Sequence, residues 1–538
     1  MMFGRTPFEA LSRAAQAHPE APMLQVPSHD GADGVQLRYG EMRERVEALV
    51  RRYAGISTGP GLRAGLLLDN TAHFFEHFLA LNALGISVVP LNPDSRDDDL
   101  RYMLEHAGVA FAVALEPHRR RLAGIAGAVP AYDEELTGAP SGGGRAPGRP
   151  EPARSTECAV LFTSGTTGKP KGCLLDNDYF LRVGEEYVNA DGCRKIKAGV
   201  ERLITPLPTF HVNALACSTM AMLLSGGCLV QLDRFHPRTW WRDVRDSRAT
   251  IMHYLGVMPA MLLALPAEPT DRAHCIRFGF GANVDPAHHR LFESRFGIAL
   301  VEAWAMTETA GAGTISTARE PRNPGMRCIG RPSAGLSVRL VDDDGLEVDG
   351  EGSGELLVRS AGSDPRAGFF RGYLADEEAT EQAWRGGWFH TGDVVRRDEQ
   401  GLYYFVDRTK NIVRRAGENI AALEVEAVIL DFPGVEQAAV IATPDPLRGE
   451  EVLACVRVAD RARRDRDAAL AIQRHCLQRL AYFKVPGHVV FVDALPTTPT
   501  NKVRKRELSS LVAATDASLV FDLREYKTRK ALGDGAPA

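Results

Sequence analysis

The decapeptide Thr163-Ser164-Gly165-Thr166-Thr167-Gly168-Lys169-Pro170-Lys171-Gly172 concentrates more chemistry than any other stretch of the chain. It follows the apolar run 159–162, which reads as a buried strand. Glycines let the backbone approach an anion closely and take positive φ. Successive backbone N–H groups, with the hydroxyls of Ser164, Thr166 and Thr167, can cradle phosphate oxygens. Lys169 and Lys171 add positive charge. Pro170 excludes the common nucleotide loop, in which Lys is followed by Ser or Thr and a helix starts at once. A plain polar turn between a strand and a helix is the competing reading.

Other stretches carry complementary groups. Trp304-Ala305-Met306-Thr307-Glu308-Thr309 sets out an aromatic ring that could stack on a purine. A hydroxyl and a carboxylate follow that could hold Mg²⁺ against a phosphate. A helix start capped by Thr307 accounts for the same residues. In Trp388-Phe389-His390-Thr391-Gly392-Asp393 the last carboxylate is a natural acceptor for two ribose hydroxyls, although Asp is also common in tight turns. The stretch 496–506 holds Lys502, a point charge with rotatable donors that could neutralise charge growing on a phosphate. A basic patch before a helix is the alternative there. Phe210-His211 follows Pro206-Leu207-Pro208, where a half-buried His at a helix start is equally admissible.

Taken together and in order, these stretches resemble the signatures of the adenylate-forming superfamily: acyl- and aryl-CoA synthetases, nonribosomal-peptide adenylation domains and firefly-type luciferases. The stretches 414–420, 480–486 and 493–503 are most similar to the carnitine/crotonobetaine-CoA ligase-like branch. The resemblance implies that Thr163, Ser164, Gly165, Thr166, Thr167, Gly168 and Lys169 bind the phosphates of ATP. It implies that Gly281, Ala282 and Asn283 border adenine and that Trp304 lies against it. Thr307 would contact the α-phosphate, Glu308 would bind Mg²⁺, Asp393 would take the ribose, and Arg408 the ribose or phosphate. Lys410 would be the interdomain hinge. Lys502 would be the catalytic lysine, acting with Thr307, Glu308 and His211. Arg415, Ala416, Gly417 and Glu418 would serve coenzyme A. The implied acid pocket is Phe210, His211, Tyr254, Gly256, Met258, Phe280 and Ala305. It shows aromatics and no carboxylate or arginine, which favours a small-to-medium monocarboxylic acid, carnitine-like, fatty or aryl. Departures from the superfamily pattern are Ala305 and Ala416 where relatives carry Gly, Asn501 for Gly before Lys502, and Val284-Asp285 inserted before Pro286.

The implied reaction joins a carboxylic acid to ATP, giving acyl-AMP and pyrophosphate, and then forms an acyl-CoA thioester and AMP. A carrier-protein thiol or an amine as acceptor is the alternative. The partners expected are the acid, ATP and CoA, with a homodimer admitted.

The elements that must position these groups are legible in outline. Short apolar runs at 64–68, 86–90 and 276–280 alternate with helical patterns at 7–18, 39–53, 74–84, 251–265 and 286–296, which argues for βαβ construction. From 335 to 358 short strand-like runs with turn signals fit an antiparallel subdomain. After 407 helix and strand alternate in a compact unit. The fold class expected is α/β: a large N-terminal region of several subdomains, with βαβ sheets and a β-rich part, followed by a small mobile α+β C-terminal domain. The boundaries expected are 1–406, a hinge at 407–411, 412–525, and a frayed tail at 526–538. The stretch 137–155, rich in Gly and Pro, should be a mobile loop.

The 538 residues exceed a single core. The 64 basic and 69 acidic residues leave a net charge of −5, which gives no reason to expect nucleic acid or an anionic membrane. The nine cysteines are scattered, and no long apolar leader or run of 18 apolar residues is present. A cytoplasmic protein with reduced thiols is the expectation.

Overall fold

The computed structural model describes residues 3–28, 34–56, 61–125, 129–139, 151–163, 169–342, 345–408, 412–460, 464–496, 503 and 505–527. The chain divides into two compact units, one of residues 1–93, 100–162 and 172–407, the other of 408–538 with the short pieces 94–99 and 163–171.

The larger unit is built on two sheets. Among the described residues the first runs Leu336–Val341, Gly352–Ser360, Phe389–Arg397, Tyr403–Arg408, Cys328–Pro332, Ile315–Ser316, Ala299–Trp304, Phe278–Ala282, Ile251–Leu255, Arg202–Thr205, Cys228–Gln231, Pro22–Val26 and Val35–Arg38. Its middle is parallel and its β-rich end antiparallel. The second runs Gly372–Tyr373, Lys171–Asp176, Glu157–Thr163, Ser87–Pro90, Arg63–Leu67, Phe111–Ala114 and Ala131–Tyr132.

One expected helix is a strand. Residues 251–265 form Ile251–Leu255 and then a short helix, Val257–Leu263. The strand pairs in parallel with Phe278–Ala282 on one side and Arg202–Thr205 on the other. Ile251 to Tyr254 are all buried, so both faces of the strand are covered. A strand buried on both faces shows no alternation, which makes its apolar run indistinguishable from a helical one. The expected helix 286–296 forms as Pro286–Phe296, with Asp285 accepting the Ala287 N–H and Pro286 in the first turn. Val284-Asp285 thus supplies the cap of the next helix.

The smaller unit has a sheet of order Glu418–Ala421, Ile412–Arg415, Gly449–Val458, His488–Phe491 and Val520–Asp522, with Val435–Asp445 also paired to Gly449–Val458. Helices Ala422–Leu430 and Arg466–Arg479 bury Val425, Ile429, Ala469, Ile472 and Cys476 in one apolar core with Val440, Val452 and Val489.

Part of the expected frayed tail is ordered, and residues 528–538 lie outside the described residues. Lys527 is only 6% exposed, and its ammonium pairs with Glu451. The expected mobile loop is also ordered at its end, where Arg154 pairs with Asp178 at 2.7 Å and Glu185 at 3.1 Å; residues 140–150 lie outside the described residues. All nine cysteines are free thiols. No described helix is long and apolar enough to cross a membrane.

Candidate active site

The stretch rich in Gly, Ser, Thr and Lys leaves strand Glu157–Thr163 and returns on its neighbour Lys171–Asp176, so a strand follows it and not a helix. Thr163 Oγ1 donates to the Lys171 carbonyl at 3.4 Å, closing the base of the loop. Ser164, Gly165, Thr166, Thr167 and Gly168 lie outside the described residues, and Lys169 is exposed.

Trp304 ends the strand Ala299–Trp304, and Asp393 sits in Phe389–Arg397. They are 89 residues apart, yet the Trp304 Nε1–H donates to Asp393 Oδ2 at 2.8 Å, with both side chains buried. The turn chemistry around Asp393 explains its aim. Gly392 stands at φ 68°, and its N–H donates to Glu355 Oε1 at 3.1 Å. The Asp393 N–H donates to Thr391 Oγ1, whose own O–H donates to the Leu356 carbonyl. The ladder shifts register between Glu355 and Leu357 opposite this point. Such a bulge re-aims a side chain.

After Trp304 the chain turns without forming a helix, so Thr307 caps none. The Thr307 carbonyl accepts from the Tyr179 phenol at 2.8 Å. Glu308 is 6% exposed; its Oε1 accepts from the Tyr373 phenol at 3.0 Å, and its carbonyl from the Phe370 N–H at 2.8 Å. Burial, followed by the Glu308 charge, pushes the Tyr373 phenol far above its usual range, so it remains a donor. Tyr373 carries no sequence signal of its own, because its two-residue strand, Gly372–Tyr373, is placed only by pairing with Cys173 and Leu174. Among the described residues no cluster of three His, Cys, Asp or Glu could hold a metal alone. A single buried carboxylate beside a threonine fits Mg²⁺, which typically keeps water and substrate phosphates as its other ligands.

Gly281 and Ala282 close the strand Phe278–Ala282, and Asn283 follows at φ 65°. Glycine is required on both sides of this segment. A Cβ on Gly281 would lie 2.1 Å from the Tyr254 carbonyl oxygen, and one on Gly256 would lie 1.6 Å from that of Asn283.

The seven residues grouped as an acid pocket do not form one wall. Tyr254 and Met258 are buried in the core with Phe292 and Leu300. Phe280 faces the other side of the sheet, because Tyr254 pairs with Gly281 and its neighbour His253 with Phe280. Phe210 and His211 are half-buried with ring centroids 4.7 Å apart, and Ala305 is exposed.

An arginine does stand on the Phe280 side. The Arg194 guanidinium lies 4.3 Å from the Phe280 ring centroid and 5.0 Å from that of Tyr187, and pairs with Glu186 at 2.7 Å. His253 joins the same cluster, with Nδ1 2.7 Å from Ser218 Oγ and 2.9 Å from Asn213 Oδ1, and Nε2 3.2 Å from the Tyr187 oxygen. Burial, then Arg194, holds the imidazole down at about 3, so it is neutral. Sequence could not group these residues because Arg194 and Glu186 lie outside every motif.

In the smaller unit the strands Ile412–Arg415 and Glu418–Ala421 form a hairpin whose two-residue turn is Ala416-Gly417, at φ 50° and 90°. Both central residues take positive φ, as tight hairpin turns demand. Arg415 is 5% exposed, and its Nε donates to Glu451 Oε2 at 2.8 Å. That guanidinium is engaged in an ion pair within its own unit. Glu418 is half-buried. Arg408 ends strand Tyr403–Arg408, while its side chain, Lys410 and Lys502 lie outside the described residues.

The sequence profile of the AMP-binding enzyme matches residues 11–374, and that of the AMP-binding enzyme C-terminal domain matches residues 424–502. The chain therefore belongs to the AMP-binding enzyme family and is an enzyme of the acyl-CoA synthetase type. It is 33% identical over 508 residues to a sulfoacetate–CoA ligase of Cupriavidus necator, covering 92% of this chain and 96% of the relative. It is 27% identical to a crotonobetaine/carnitine–CoA ligase of Proteus mirabilis, over 88% of this chain and 93% of the relative. Its fold matches the amide bond synthetase McbA of Marinactinospora thermotolerans with a TM-score of 0.79 and 25% identity, over 93% of this chain and 99% of that one.

Proposed function

We propose that the chain is an acid–CoA ligase acting on a small-to-medium carboxylic acid with ATP, Mg²⁺ and CoA. The observation that carries this reading is the hydrogen bond between Trp304 and Asp393, with Thr307 and Glu308 in the turn directly after Trp304. It supports the reading by bringing an aromatic ring and a carboxylate together, with a hydroxyl and a second carboxylate in the turn that follows.

A carboxylate is a poor electrophile. Its oxygen attacks the α-phosphorus of ATP in line, and pyrophosphate leaves. The chain's task is to position and neutralise. Asp393 receives the ribose hydroxyls. Thr307 steadies the α-phosphate, and Lys502 offsets charge on the attacking carboxylate and the α-phosphate. Mg²⁺, held through Glu308 and the phosphates, would supply charge neutralisation. Tyr373 keeps Glu308 oriented through its phenol. In the second step the CoA thiol attacks the acyl-AMP carbonyl, and AMP leaves. The smaller unit turns about Lys410 between the two steps, exchanging Lys502 for the hairpin at 415–418 and shifting His211. The hinge at 407–411, the limits of the smaller domain, and a cytoplasmic location belong to the same proposal.

The test is acid-dependent ATP–pyrophosphate exchange over a panel of acids, followed by turnover with free CoA. The expected result is exchange with at least one acid, and AMP release that requires CoA. The panel should include sulfoacetate, crotonobetaine, carnitine and simple monocarboxylic acids, because the Arg194–Glu186 pair sets both charges beside Phe280. AMP release that requires an amine or a carrier-protein thiol in place of CoA would refute the CoA step, and the McbA match keeps that outcome in view.

A further inference from the structure

Glu302 lies two residues before Trp304 on the same strand and is 5% exposed. A carboxylate taken out of water needs strong compensation. Here it has three neutral donors. Asn283 N–H donates to Oε2 at 3.0 Å, Val284 N–H to Oε1 at 3.2 Å, and the Tyr254 phenol to Oε1 at 2.9 Å. Its own backbone is held at both ends by Thr317: the Glu302 N–H donates to Thr317 Oγ1, and its carbonyl accepts the Thr317 N–H, each at 2.9 Å. The carboxylate is therefore a fixed anchor reaching into the turn at 283–284.

That turn needs an anchor. Asn283 stands at φ 65°, a conformation that side-chain-bearing residues adopt uncommonly. On the far side its carbonyl presses against Gly256, where no Cβ could fit. The turn is thus held from below by a glycine and from the side by a carboxylate.

We infer that Glu302 is a positioning residue for ATP: its carboxylate pins the backbone at 283–284, and with it the segment 281–283, in the form that receives the adenine. The inference rests on the proposed role of that segment. It assigns Glu302 work through the loop and none on the reacting atoms.

The chemistry of the anchor gives a distinctive readout. Burial pushes the Glu302 carboxyl up to about 7. Once protonated it has fewer acceptor sites for three donors and an O–H of its own to place. The hold on the turn then weakens as pH falls through 7. The titratable groups facing it are Tyr254 from strand Ile251–Leu255, His289 from helix Pro286–Phe296 and Cys328 from strand Cys328–Pro332, with Glu293 and Arg322 acting on Tyr254.

The experiment compares wild type, Glu302→Gln and Tyr254→Phe by direct ATP binding and by KM for ATP and for the acid between pH 6 and 8. In Glu302→Gln one acceptor oxygen must serve three donors. The expected result is a KM for ATP raised about tenfold or more, an unchanged KM for the acid, and loss of the wild-type rise in KM for ATP toward low pH. Tyr254→Phe keeps the carboxylate and both backbone bonds, and should give a smaller rise confined to ATP even if Glu302→Gln folds poorly. Two outcomes overturn the inference: ATP affinity in both variants within twofold of wild type, or equal losses for ATP and acid. Wild-type protein that binds no ATP instead overturns the adenine reading of 281–283 and the inference with it, which separates the two failures.

Discussion

Both units bury a carboxylate almost completely, and they treat it in opposite ways. In the larger unit Glu302 meets two backbone N–H groups and a phenol, and burial lifts its carboxyl to about 7. In the smaller unit Glu451 meets the Arg415 guanidinium and the Lys527 ammonium, and stays ionised below the usual carboxylate range. There the lysine carries the strain: burial, then repulsion from Arg415, brings Lys527 down to about 7. Neutral donors leave a buried acid able to change state near neutral pH. Two cations lock one in place. The first arrangement suits a turn proposed to receive a nucleotide, and the second a rivet that ties Lys527 to the hairpin strand Ile412–Arg415.

Removing the rivet should have the largest effect. Glu451→Ala leaves the Arg415 guanidinium buried without its counterion and drives Lys527 neutral, and should cost about 3–5 kcal/mol in the stability of the smaller unit while ATP affinity is kept. Denaturant unfolding followed beside ATP binding checks this, and a cost under about 1 kcal/mol would erase the contrast with Glu302. Lys502→Ala should slow adenylation by about 10²–10³ and spare thioester formation from supplied acyl-AMP, because its charge is needed only in the first step. Equal loss in both steps would remove the lysine from its proposed role.

Asp393→Ala should do the reverse of Glu451→Ala. It should weaken ATP binding by about 1.5–3 kcal/mol with little change in the KM for the acid, since it removes a charged acceptor and the partner of Trp304. Unchanged ATP affinity would count against ribose contact.

The two buried groups should also slope oppositely with pH. The Glu302 carboxyl is raised in the folded state, so its contribution to stability is full below 4.5 and lost as pH rises to about 7. The Lys527 pKa is depressed, so its contribution is full above 10.5 and lost as pH falls to about 7. Unfolding midpoints measured across pH 5–7 and 7–10 for wild type, Glu302→Gln and Lys527→Met would resolve the two slopes; parallel slopes would break the comparison.

The smallest effect belongs to the hairpin turn. Ala416 stands at φ 50°, where a Cβ costs about 1–2 kcal/mol, so Ala416→Gly should stabilise the smaller unit by about 0.5–1 kcal/mol after glycine's added chain entropy. No gain in unfolding free energy would mean that the turn relaxes around the methyl group.

Local pattern reached far in this chain. The helix at 39–53 formed between the residues expected, as Tyr39–Tyr53, because its buried residues Met42, Val46, Leu49 and Tyr53 repeat every three to four positions. The strand Ile251–Leu255 was not legible, because covering both faces erased its period. The single acid-pocket wall failed for a related reason. Tyr254 and Phe280 look alike in sequence, but the pleat sends them to opposite sides of one sheet. Tyr373, Glu302 and Arg194 sit in no motif, and their partners lie between 8 and 120 residues away along the chain.

By itself the sequence determined which groups were present and in what order: a stretch of Gly, Ser, Thr and Lys, a ring with hydroxyl and carboxylate, the carboxylate of Asp393 and the lysine at 502. Each depends on residue type and short spacing, which a chain displays without folding. Only the tertiary structure decided which groups meet. It joined Trp304 to Asp393, gave Glu308 its phenol, set Glu302 against the turn at 283–284, and turned Arg415 toward Glu451. Those contacts depend on strand register and on burial, and neither is defined until the sheets have formed.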